Sequence, residues 1–177
     1  MFKNHYPVDY CFDEALLHWL NWPERFTDKL KQKAGDVQLR VLSQGWKDRT
    51  YWDANALQVA DTRLFVREIV MCADAVPCWY ARTIIPESTF LFDASLFLRL
   101  EQESVGDLIF QANSIERVSL NYYAINQSAI EYHWLHKHKH KPSKPQDLPV
   151  RFSKLMVSGG FPFYLVEILL PGLQRYY

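Results

Sequence analysis

Apolar positions recur at helical spacing near the start of the chain and at strand spacing through most of the rest. In "FDEALLHWLNW", Leu16 and Leu17 stand four and three residues before Leu20, and Asp13 is placed to cap the N-terminus, so the spacing predicts a helix. Pro23 stops that helix and can open a second one in "PERFTDKLKQKAG", where Phe26 and Leu30 share a face and Gly35 supplies an end. "DVQLRVLSQGW" alternates, with Val37, Leu39 and Val41 on one face and Gln38 and Arg40 on the other, which predicts a strand with one wet face. Residues 47–62 read as a loop holding a turn of helix. Residues 63–73 and 77–85 are β-rich and flank "ADAV", a hairpin connection. "DASLFLRLEQES" and "VGDLIFQAN" read as short helices, and "IERVSLNYYAI" as a strand. "VRFSKLMVS" and "PFYLVEILLP" read as final strands around the Ser158-Gly159-Gly160 bend. Helices first, then mostly hairpin-connected strands, predict an α+β domain with an antiparallel sheet. A βαβ alternation and a Gly-rich phosphate loop are both absent, which excludes the nucleotide-binding folds that depend on them.

Inside this pattern two arginines stand out. In "REIVMCADAVPCWYARTIIP", Arg67 shares a strand face with Phe65, Ile69 and Met71, and Arg82 shares one with Cys78, Tyr80 and Ile84. A hairpin closing symmetrically about Asp74-Ala75 sets Arg67 directly opposite Arg82, a placement that an odd turn length would shift. Two like charges facing each other in an apolar sheet require compensation. One source is a neighbouring carboxylate, for which Glu68, Glu87 and Glu167 are candidates, or an escape of the charged heads at a sheet edge. The other is an anionic ligand held by planar guanidinium groups, one carboxylate each. Glu167, in "YLVEILLP", raises the complementary question, because its strand is apolar on both faces and a buried carboxylate needs a cation or hydrogen bonds. Arg67 is one candidate partner and a ligand hydroxyl is the other.

The 177 residues fit one domain, and 49% apolar with 15% aromatic content is enough for a core without a metal or disulfide staple. Twenty basic and twenty acidic side chains balance, which speaks against a general nucleic-acid binder. No apolar run reaches the length of a membrane span, and the N-terminus shows no secretory pattern, so a cytoplasmic protein with free thiols is expected. Cys72 and Cys78 fall on opposite faces of the hairpin and are expected to be small core residues. The tract "HWLHKHKHK" is read as a solvated loop, since its interleaved lysines repel metal cations; its basic charge gives the same run a weak expected attraction to anionic membrane surfaces.

The same hairpin carries a family resemblance. "REIVMCADAVPCWYARTIIPESTF" resembles the signature hairpin of the chorismate pyruvate-lyases, and "VEILLP" resembles that family's C-terminal strand; "DYCFDEALLHWL", "QGW" and "VG" at 105–106 fall in the same order. The resemblance implies an antiparallel sheet with helices packed on one side and helical flaps over an enclosed ligand site. It implies release of pyruvate from chorismate to leave 4-hydroxybenzoate, a ubiquinone precursor, without metal or organic cofactor, by a monomer. Carried over by position, Arg67 holds the ring carboxylate, Glu167 meets the ring hydroxyl, and main-chain contacts fall near Phe26 and Val105. The predicted register adds Arg82 as holder of the second carboxylate. The chain departs from the pattern at Asp74-Ala75, where the family has Asp-Gly, at Phe26 and Val105, where methionine and leucine are expected, and in a longer segment around 134–147. Effector domains of transcription factors are similar in fold, so a non-catalytic domain binding an aromatic acid is the competing reading; it predicts a DNA-binding helix-turn-helix upstream, where the early start of the sheet leaves little room.

Overall fold

A computed structural model describes residues 12–112, 114–138, 140, 142, 144 and 146–177. Its frame is a six-stranded antiparallel sheet: β1 (Val37–Asp48), β2 (Arg63–Ala73), β3 (Val76–Pro86), β4 (Ile115–Ile125), β5 (Leu148–Val157) and β6 (Phe161–Leu169), in the spatial order β1-β2-β3-β6-β5-β4. Two meanders therefore meet along β3 and β6, and the chain crosses from β3 to the far edge before returning to the middle.

One face is covered by α1 (Glu14–Leu20), α2 (Phe26–Lys33), α4 (Glu87–Phe92), α5 (Ala94–Leu98) and α6 (Val105–Gln111). Trp19, Phe26, Phe90, Phe97 and Leu108 from these helices pack on Ile69, Met71, Trp79, Leu155 and Leu165 of the sheet. The other face carries a second, smaller layer, α3 (Tyr51–Ala56) and α7 (Ile130–Lys137), whose Trp52, Tyr132 and Leu135 pack on Val66, Val70, Ile84, Val150 and Val166. Both faces of the central strands are thus dry, which is why β2, β3 and β6 read as nearly continuous apolar runs.

Local chemistry accounts for the ends. The Asp13 carboxylate accepts from the Leu16 N–H at 2.7 Å, as the capping pattern predicts. The second helix starts at Phe26, later than Pro23 suggests, with Arg25 as an N-cap that makes no side-chain cap. Ser104 and Asp107 form a reciprocal capping box at the start of α6, as do Thr50 and Asp53 at α3. Gly159 and Gly160, with φ of 93° and 89°, turn β5 into β6.

The β2–β3 hairpin corrects the expected register. Its turn is the two-residue one, with Asp74 and Ala75 at φ of 48° and 64°, the left-handed pair that a tight hairpin needs. Ala73 faces Val76 and Cys72 faces Pro77, as symmetric closure requires, but β3 then gains one residue at Cys78 and Met71 faces Trp79. From there every pairing is displaced by one: Arg67 faces Thr83, and Arg82 faces Glu68. A bulge of one residue exchanges the faces of everything beyond it. Arg82 thereby lies on the opposite side of the sheet from Arg67, and Cys78 packs with Trp79 and Ala81 on the Arg67 face while Tyr80 and Ile84 go with Arg82. Cys72 and Cys78 are both buried free thiols.

The histidine tract also differs from expectation. Residues 130–137 are helix, and His138 folds under the sheet with its Nε2 3.4 Å from Glu68 and its ring stacked on Tyr80. Among the described residues, no group of three or more His, Cys, Asp or Glu side chains is placed to hold a metal ion, and no helix is long and apolar enough to cross a membrane.

Candidate active site

The site face of the sheet places its polar groups by pairing. Ile69 on β2, Ala81 on β3, Glu167 on β6 and Arg151 on β5 stand side by side as successive cross-strand partners. The neighbouring row runs Arg67, Thr83, Leu165 and Ser153. Arg67 and Glu167 therefore share one face, two strands and two residues apart, with backbones separated by ~12 Å at ordinary sheet spacing. Ala81 and Thr83 lie between them, and all four residues line one cavity.

A cavity opens here between the sheet and the first turns of α2 and α6. Its space for the centre of a water-sized sphere is about 60 Å³, and Phe26, Val105, Trp79, Ile109 and Leu165 make its apolar walls. A wider outer chamber of about 360 Å³ adjoins it, and Arg25, Leu39, Arg67, Met71 and Ser104 belong to both. Arg25 ties the two helices together over this boundary, with contacts of 2.7 Å to Asp28 on α2 and 2.6 Å to Asp107 on α6.

Arg67 is 4% exposed. Among the described residues it makes no side-chain hydrogen bond or ion pair, and its Nε is buried without a partner. Burial alone pulls it below the usual arginine value. A buried cation that meets no anion among the described residues is costly, so the fold tolerates Arg67 rather than gaining from it. Glu167 is 7% exposed and its carboxylate lies 3.3 Å from Arg151 NH1. Burial pushes its pKa above the ordinary carboxylate range, against the opposing pull of Arg151 and Arg117. Arg151 is 2% exposed, donates to the Trp22 carbonyl at 2.6 Å and lies 4.2 Å over the Phe26 ring. Arg117 donates to the next carbonyl, Pro23, at 3.1 Å. Lys29, behind this group, donates to the His18 carbonyl at 3.1 Å between the rings of Trp19 and Trp22. Burial first, then Lys33 and Arg151, bring its pKa down to about 8.

The fold brings together Phe26, Arg67, Val105 and Glu167 in one cavity and leaves Arg82 out of it. Phe26 and Val105 line the cavity and are the first helical residues of α2 and α6, where backbone N–H groups lack intrahelical acceptors. Across the sheet, Arg82 stacks on Trp134 at 4.4 Å and lies 3.7 Å from Glu68 and 3.8 Å from Asp53. Glu68 accepts from Ser43, from Lys47 at 2.8 Å and from Tyr80 at 2.8 Å. The carboxylate answer to the two-arginine question thus holds for Arg82. Arg117 and Arg151 take up cavity positions that the sequence reading passed over. Arg151 follows Pro149 and Val150 in a strand buried on both faces, where alternation carries no sign of which side is the site.

The model of the chorismate lyase family matches residues 9–139. The chain belongs to the chorismate lyase family. Chorismate lyase membership is supported beyond the matched span by curated relatives: the chorismate pyruvate-lyase of Salmonella gallinarum is 25% identical over 167 residues, covering 94% of this chain and 88% of its own. That of Salmonella newport is equally similar over the same extent. Among solved structures, the C-terminal domain of the histidine utilization repressor of Pseudomonas syringae superposes with a TM-score of 0.57 at 12% identity, over 80% of this chain and 94% of that one. A GntR-family transcriptional regulator from Bacillus cereus gives 0.57 at 11% identity, over 77% and 93%. These structural likenesses are of fold: this chain and those regulator domains share the sheet-and-helix frame.

Proposed function

We propose that the protein is a chorismate pyruvate-lyase, acting on chorismate to release pyruvate and 4-hydroxybenzoate. Family membership supports the reaction class, and the observation that carries the reading to this chain is Arg67, a buried guanidinium with no side-chain partner among the described residues, lining the same cavity as Glu167. The ring carboxylate of the substrate supplies the missing anion, and Glu167 meets the ring hydroxyl at the other end. Phe26 and Val105 frame the ring and offer first-turn backbone N–H groups.

In the reaction the ether bond from the ring to the enolpyruvyl oxygen breaks and the ring loses the hydrogen on its hydroxyl-bearing carbon. That proton ends on the methylene carbon of the departing enolpyruvate, which becomes the methyl group of pyruvate. The ring becomes aromatic, and this gives the driving force. The protein's task is to hold the side chain over the departing hydrogen and to stabilise charge on the leaving oxygen. Positioning of this kind contributes several kcal/mol, and preorganised cations in a water-poor site add to it. Glu167, held by Arg151 at 3.3 Å, is placed to accept a hydrogen bond from the ring hydroxyl.

The direct test is to add chorismate to the purified protein and follow 4-hydroxybenzoate absorbance together with pyruvate. Formation of both in equal amounts is expected. Tight binding of 4-hydroxybenzoate with no conversion of chorismate would instead support a non-catalytic domain that binds an aromatic acid.

A further inference from the structure

The charged lining of the cavity is unbalanced. Arg25 is neutralised by Asp28 and Asp107, and Glu24 is exposed. That leaves Arg67, Arg117 and Arg151 against Glu167, three cations to one acid. Among the described residues Arg67 makes no side-chain hydrogen bond or ion pair. Arg117 and Arg151 converge from β4 and β5 onto the consecutive carbonyls of Pro23 and Trp22, and the Nε of each is buried without a partner among the described residues. Two neighbouring guanidiniums that repel each other, with donors left over, form a gap suited to an oxyanion. The bulge after Arg117 helps to make this gap: β4 gains a residue at Val118, which turns outward and is 49% exposed, while Arg117 shares the inward side with Ile115.

We propose that Arg117 and Arg151 form a second anion subsite in this cavity, which receives the side-chain carboxylate of a dianionic substrate whose ring carboxylate lies on Arg67. This rests on the reading of the protein as a chorismate lyase, and it gives to Arg117 and Arg151 the place that the sequence register had given to Arg82. It also makes the site selective. A ring monocarboxylate engages only Arg67 and Glu167, whereas a dicarboxylate satisfies all three arginines. Loss of the second carboxylate with pyruvate leaves Arg117 and Arg151 facing each other again, so substrate and product are distinguished by charge.

The test measures binding by calorimetry with two unreactive or spent ligands, 3-(carboxymethoxy)benzoate as the dicarboxylate and 4-hydroxybenzoate as the monocarboxylate. Arg117→Gln carries the test, because its one protein hydrogen bond is at a partly exposed carbonyl, whereas Arg151 also holds Glu167. For Arg117→Gln we expect the dicarboxylate to bind roughly tenfold or more weakly, 4-hydroxybenzoate to bind within about twofold of wild type, and Arg117→Lys to recover part of the loss. An equal loss for both ligands, or a loss for neither, overturns the subsite. An unchanged thermal melt confirms that the variant is folded. The chorismate assay on the wild-type protein is a separate readout: its failure removes the lyase reading, while the two-ligand comparison still decides whether the subsite exists.

Discussion

Arg67 and Arg82 have the same side chain at nearly the same burial, and opposite energetic roles follow from what each one meets. Arg82 has two carboxylates within 4 Å and an indole face beneath it, whereas Arg67 has no described partner. Arg82→Met is therefore expected to destabilise the fold by roughly 3–5 kcal/mol, since Asp53 and part of Glu68 lose their cation. Arg67→Met removes an uncompensated charge and is expected to leave stability unchanged or raise it by about 1–4 kcal/mol, while 4-hydroxybenzoate binding falls by roughly 10- to 100-fold, the worth of a charged hydrogen bond. Urea midpoints and calorimetry on the two variants decide this. Loss of stability in Arg67→Met with retained product affinity would place Arg67 in the frame and not in the site.

Among the elements, the β2–β3 hairpin controls where every charge in it goes. Its turn holds Ala75 at φ of 64°, a conformation that costs an L-residue roughly 1–2 kcal/mol. Ala75→Gly is expected to stabilise the protein by about 1 kcal/mol, less what glycine adds to the freedom of the unfolded chain, as a rise in melting temperature with unchanged ligand affinity. On the far face of this hairpin, burial alone would raise the Glu68 pKa, but hydrogen bonds from Lys47, Ser43 and Tyr80 outweigh it and hold the group well below the usual carboxylate range. A carboxylate depressed in the fold contributes stability above its unfolded pKa of about 4.3 and loses that contribution as the pH falls. Glu68→Gln is therefore expected to be clearly less stable than wild type at pH 7, with the gap narrowing toward pH 3 in parallel denaturation curves.

For the molecule as a whole, the cavity lies under α2 and α6, which pack on the sheet through Phe26 and Leu108. The Arg25 contacts to Asp28 and Asp107 bridge α2 and α6 above the boundary between the inner and outer chambers. Pairs that are one-third exposed contribute about 0.2–1 kcal/mol, so Arg25→Gln is expected to speed release of 4-hydroxybenzoate about 2- to 5-fold in stopped-flow, with little change in melting temperature. A release rate indifferent to this change would show that the ligand leaves by another route.

The hydrophobic pattern by itself determined the antiparallel α+β architecture, the hairpin over 63–86, the Asp13 cap and the strand face that Arg67 shares with Phe65, Ile69 and Met71, because side-chain alternation and capping are local properties of the chain. Resemblance of the hairpin, not periodicity, supplied the chemistry. Only the tertiary structure decided that Arg82 belongs to the opposite face, because one extra residue in β3 exchanges faces without altering the apolar pattern on which the register argument relied. It also decided that Arg117 and Arg151 join Glu167, since residues 50 and 16 positions away from it, on strands dry on both sides or bent by a bulge, come together only when β4, β5 and β6 pair. Register and bulge position are set by the packing of two opposed layers, and that information is not local to any stretch of the sequence.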